Sequence, residues 1–189
     1  MNKKIIFFFL LSFFLILSFF LYSKFLKKDE VSQIQMNTSE DSSENANIIK
    51  DVEYISKDID GNEYIINASQ GEIDYSNSSV IYLTDVVALI NLNNSETIRI
   101  ISDYGKYNII NFDTIFSKNV IVTYSDNKIK GEYLDFSIEK NLMIISRNVI
   151  YTNLKNYLKA DVIEVKLDTK KTKIFMYKNN QKVKIKSKN

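Results

Sequence analysis

The chain has 189 residues and is nearly neutral, with 25 Lys and Arg against 23 Asp and Glu. It contains no Cys and no His, which excludes a disulfide framework, thiolate metal sites and histidine-based acid–base chemistry. Its 45% hydrophobic and 13% aromatic content suffices for one packed domain with accessory segments. The charges are unevenly placed: residues 1–28 carry only Lys, 29–47 only acids, 48–98 are acidic and 155–189 strongly basic. Such asymmetry points to an interaction surface, or to lysines that guard a strand edge.

Ile5–Tyr22 is an apolar run without charge, just long enough to span a bilayer as a helix. It ends in Leu21-Tyr22-Ser23-Lys24 with no small-x-small cleavage site, so residues 1–28 read as an uncleaved transmembrane anchor and not a signal peptide. Lysines flank the run on both sides, so flanking charge does not set its orientation. Residues 29–47 are polar and Ser-rich and read as a flexible tether.

Residues 48–189 read as the folded β domain. Asp60-Gly61 between two apolar runs is a hairpin signal. The surrounding acids lack the Gly and Glu spacing of a calcium loop. Ile66–Val86 then recurs, degenerate, as Ile100–Val120 and Ile129–Val149, with a worn fourth copy from Leu158. Each copy opens on an apolar residue followed two places on by a small one: Ile66/Ala68, Ile100/Ser102, Ile129/Gly131, Leu158/Ala160. Position +7 holds Ile73, Tyr107, Phe136 and Val165, and position +16 holds Tyr82, Phe116, Ile145 and Ile174. The first three copies close on Val86, Val120 and Val149. A period of about 30 residues marks a stacked repeat. The runs are rich in Ile, Val, Tyr and Phe and alternate in part, so each repeat reads as a β-hairpin with a third strand after the closing Val. The spacing predicts about 13–16 strands in an elongated antiparallel jelly roll or open sandwich of repeated hairpins.

No P-loop, G-x-G-x-x-G or G-x-S-x-G occurs. A Ser–Lys dyad or a carboxylate pair is formally available, but the Asp, Glu and Ser residues fall at turns or on polar strand phases, where solvation accounts for them. The chain therefore reads as a non-enzyme without a cofactor. Nucleic acid is not an expected partner, because only Phe175 and Tyr177 interleave with the terminal lysines.

A short anchor, a tether, the Asp60-Gly61 hairpin, Tyr64-x-Ile66-x-Ala68, Gly71-x-Ile73, Gly105-x-Tyr107, Asn119-Val120 and Asn148-Val149 follow in order. This pattern resembles the LptC family, the single-pass inner-membrane component of lipopolysaccharide export, over nearly the whole chain. Periplasmic LptA shares the repeats but carries a cleavable signal, so the uncleaved span favours the LptC role. The resemblance implies a periplasmic, V-shaped pair of sheets with lipid A acyl chains between them and sugars and phosphates outside. It also implies two protein partners, an LptBFG-like inner-membrane exporter and an LptA-like bridge protein. Groove candidates on this reading are Tyr82, Val86, Tyr107, Phe116, Val120, Phe136, Ile145 and Val149. The edge strand with Lys182, Val183, Lys184, Ile185 and Lys186 is the candidate docking edge for the bridge protein. The acidic first strand region, with Asp51 and Glu53, would face the exporter. A membrane-anchored scaffold that docks a partner by β-augmentation and touches no lipid is the competing reading.

Overall fold

A computed structural model describes residues 47–93, 95–178 and 180–187. The expected anchor and, Asn47 excepted, the tether lie outside them. The described residues form ten strands and no helix. These are β1 (Ile48–Lys57), β2 (Glu63–Ile73), β3 (Val80–Asn91), β4 (Ile98–Asn108), β5 (Thr114–Tyr124), β6 (Asn127–Ser137), β7 (Leu142–Thr152), β8 (Asn156–Lys166), β9 (Thr172–Phe175) and β10 (Lys184–Ser187). They make one open antiparallel sheet in which each strand from β1 to β8 pairs with the next, and both β9 and β10 pair with β8.

The all-β antiparallel expectation holds, but the strands are fewer and longer than expected. The closing valine of each repeat does not precede a third strand. Val86, Val120 and Val149 lie inside β3, β5 and β7. The polar residues before them, which look like a break in the sequence, are kinks within a continuous strand. Lys118 and Asn119 have φ of 61° and 50°, and Arg147 and Asn148 have 67° and 55°. At both places the pairing register shifts by one residue, the mark of a β-bulge. Asp51 (φ 51°) and Asp85 (φ 53°) make the same turn in β1 and β3 without a register shift. Asp and Asn tolerate this left-handed backbone better than most residues.

Local contacts fix the kinks. Asn119 Nδ2 donates to Asp103 Oδ2 at 2.8 Å and Asn148 Nδ2 to Glu132 Oε1 at 2.5 Å. Ser69 Oγ donates to Asp85 Oδ2 at 3.0 Å. Lys118 Nζ lies 4.8 Å from the Tyr104 ring centroid and the Arg147 guanidinium 5.1 Å from that of Tyr133, so each cationic bulge residue caps an aromatic face.

The line of kinks divides the sheet into two layers. Across the first layer the register aligns Tyr54, Ile66, Ala88, Ile100, Val122, Ile129, Tyr151 and Leu158 in one apolar row. Across the second, Leu83 is followed through Gly105 by Phe116, Leu134, Ile145 and Ile163. Tyr54 of β1 stacks on Tyr107 of β4 at 5.0 Å between centroids, and Tyr64 of β2 on Phe136 of β6 at 5.9 Å. These strands are not sheet neighbours, so the sheet folds over on itself and its two apolar rows meet.

At the fold line every kink valine pairs with a small residue: Val52 with Ala68, Val86 with Ser102, Val120 with Gly131 and Val149 with Ala160. Where the layers converge there is no room for more. A Cβ on Gly131 would stand 2.7 Å from Ile145 Cγ2, and one on Gly105 3.1 Å from Val86 Cγ2. The four valines are buried, each contributing about 1.5–3 kcal/mol by leaving water.

In the fourth repeat the place of the closing valine is taken by Lys178. There the edge strand comes apart into β9, which pairs with the second-layer half of β8, and β10, which pairs with the first-layer half. The Tyr177 N–H donates to Asp161 Oδ2 at 2.9 Å across the gap.

Candidate functional site

The space between the layers is filled at one end and open at the other. At one end Tyr54, Tyr64, Tyr107, Phe112, Phe116 and Phe136, from β1, β2, β4, the β4–β5 turn, β5 and β6, close the interior, leaving a void of only about 20 Å³. Burial raises the phenol pKa of Tyr54, Tyr64 and Tyr107, and the hydrogen bond from Tyr64 to Asp58 at 2.9 Å raises that of Tyr64 further. The Tyr54 hydroxyl is buried without a hydrogen-bond partner.

Toward β8 and β9 the layers part around a cleft of about 480 Å³, within the size range of small-molecule sites. Its first-layer wall carries Val122, Ile129, Tyr151 and Leu158, and its second-layer wall Met143, Ile163, Val165, Leu167 and Ile174. The cleft exists because the sheet ends there. β9 and β10 are four residues each and wholly exposed, so no strand covers the last inner positions. Ile185 continues the inner row beside Leu158 yet is 68% exposed, and Ile174 beside Ile163 is 37% exposed.

The rim is polar, and its two sides differ. On the first-layer side Tyr151 Oη donates to Asn127 Oδ1 at 2.6 Å, Asn153 Nδ2 donates to Tyr151 Oη at 2.8 Å, and Ser95 Oγ lies 3.1 Å from Tyr124 Oη. On the second-layer side the rim is cationic, with Lys166 at the end of β8 and Lys170 in the following turn.

The eight groove candidates do not line this cleft. Val86, Val120 and Val149 sit on the fold line, Tyr107, Phe116 and Phe136 line the closed end, and Ile145 is fully buried. Tyr82 is a correction: it points away from the interior. In β3 the buried residues around it are Ile81 and Leu83, while Tyr82 is 44% exposed, donates to Asp74 Oδ2 at 3.1 Å and lies under Lys106. Strand alternation decides this, because Tyr82 is one residue out of phase with its inner neighbours. The cleft-lining residues Ile129, Leu158, Val165 and Ile174 are themselves repeat markers. What the sequence did not signal is that this one end lacks a cover. Of the docking-edge candidates, Lys184, Ile185 and Lys186 lie in β10 and Lys182 and Val183 just before it, with Val183 half-buried against the core. Lys184 stands opposite Lys159 in the ladder, a like-charge pair that weakens this edge.

Among the described residues, no helix is long and apolar enough to cross a membrane, and no cluster of acidic side chains has a metal-binding arrangement. No protein family and no curated protein matches the chain.

Proposed function

We propose that the β unit handles the acyl chains of lipopolysaccharide, as a jelly-roll domain of the LptC type held to the inner membrane by the apolar run Ile5–Tyr22. The observation that carries the proposal is the apolar cleft between the folded layers, open at the β8–β9 edge. Its walls offer non-directional burial, worth about 0.8 kcal/mol per methylene, and shielding an acyl chain requires no reacting group. The domain lies in the periplasm on this reading. It takes lipid from an LptBFG-like exporter and passes it to an LptA-like bridge protein through the edge where the cleft opens.

The test is photo-crosslinking in cells. A crosslinker at Ile129 or Ile174, both on the cleft wall, is expected to capture lipopolysaccharide. The same group at Phe116, in the packed end and 1% exposed, is expected to capture none and to destabilise the domain. Absence of lipid at both cleft positions in a folded protein overturns the proposal. It would leave the scaffold reading, which the unpaired outer edges of β1 and β10 support.

A further inference from the structure

The two rims of the cleft make different demands on a ligand. The polar groups of the first-layer rim already satisfy one another: Tyr151 with Asn127 and Asn153, and Tyr124 with Ser95. The second-layer rim is different. Ion pairs among the described residues are Lys57–Glu63 and Lys173–Glu164, and neither uses Lys166 or Lys170. Of the acids two residues away in sequence, Glu164 is held by Lys173 at 3.4 Å and Asp168 accepts the N–H of Thr169 at 2.6 Å. The neighbouring β6–β7 turn is tied to this rim by Leu167 N–H donating to Asn141 O at 2.8 Å. It adds Lys140 beside Glu139, so lysines outnumber acids along the rim.

We propose that Lys166 and Lys170 form an anion site at the mouth of the cleft, which holds the phosphate or carboxylate at the polar end of an amphiphile whose acyl chain lies within. This deepens the acyl-chain reading and rests on it. Lysine suits the position for a physical reason. A lysine stem can lie along apolar surface while its ammonium stays in water, so a charge at the mouth is presented without the cost of burial. Two solvated charges add modest affinity and discriminate between head groups, while the tail supplies most of the binding.

The experiment uses the full chain in nanodiscs of zwitterionic lipid, with a photo-crosslinker at Ile174. Capture is titrated with labelled dodecyl phosphate and, separately, with dodecyl maltoside, which has the same tail and a neutral head. In K166Q/K170Q the half-saturating concentration of the phosphate is expected to rise about tenfold, at about a factor of three per rim charge. That of the maltoside is expected to stay within about twofold, and K166R/K170R to restore the phosphate value. Added salt is expected to weaken phosphate capture in the native chain and not in K166Q/K170Q. Unchanged phosphate capture in K166Q/K170Q overturns the anion site and leaves the acyl-chain reading standing. Equal loss for both amphiphiles also overturns it, showing that the lysine stems only pack. Capture of neither amphiphile by the native chain overturns both readings.

Discussion

The tightest constraint at the residue scale lies where the two layers converge. Gly131 faces Val120 in the ladder and has Ile145 above it, so a methyl group there meets Ile145 Cγ2 at 2.7 Å. Ile145 is fully buried and cannot swing aside. Gly131→Ala is therefore expected to lower the unfolding free energy by about 1–3 kcal/mol through overpacking. The measurement is the urea midpoint at unchanged slope. An unaltered midpoint would mean that the fold line relaxes and that small residues are not required there. Ala160, which occupies the equivalent place opposite Val149, shows that a methyl is accepted at that point of the fold line.

The recurring unit at the element scale is a long strand with a kink near its middle. Kinks in neighbouring odd strands are aligned by the ladder, so the sheet folds along a line and not at scattered points. Asn119 and Asn148 serve twice, adopting the left-handed backbone and donating to Asp103 and Glu132. Replacing Asn119 by Ala removes the hydrogen bond and puts a Cβ-bearing residue with no local polar compensation in a left-handed conformation. The expected cost is about 1–2 kcal/mol. Asn119→Gly loses the same hydrogen bond but relieves the backbone, so it is expected to cost less than the Ala change. Chemical denaturation of the two variants checks the order, and equal losses would assign the whole effect to the side-chain contact.

At the scale of the whole molecule, one end of the interior is sealed by aromatic packing and the other is left open by a fractured edge strand. The sealed end has a thermodynamic signature. Tyr54, Tyr64 and Tyr107 are held protonated above the ordinary phenol value of 10.0, chiefly because burial disfavours the phenolate. Their folded pKa lies above the unfolded one, so their contribution is intact below about pH 10 and is lost as pH rises through the window above it. In that window each buried phenol lowers stability by about 1.4 kcal/mol per pH unit, because the unfolded chain releases the proton first. Urea midpoints are expected to be insensitive to these tyrosines near pH 8 and to fall steeply above pH 10. Tyr107→Phe is expected to flatten that fall, and an unchanged slope would show that its phenol is not shielded from water.

Much of the strand layout follows from local sequence alone. The turns at 58–62, 74–79, 109–113, 138–141 and 167–171 separate the strands. They fall where Gly, Asn, Asp and Ser interrupt runs of Ile, Val, Tyr and Phe, because turn geometry and strand alternation are properties of neighbouring residues. The roughly 30-residue period likewise reports real structural equivalence, since each of the first three copies supplies one small residue and one valine to the same fold line, and the fourth supplies the small residue Ala160. Long-range register decided the rest. Whether Asp85-Val86 ends a strand or bends it depends on what Tyr104 and Ser102 across the ladder allow, and Tyr82 faces outward because the phase of β3 is set by Ile81 and Leu83 against the opposite layer. The cleft was the least legible feature. Its walls are made of the same apolar repeat positions as the core. They border an open cleft where β9 and β10 separate and Lys178 stands in the place of the closing valine, and a missing neighbour is a property of the assembled sheet and not of any one stretch of chain.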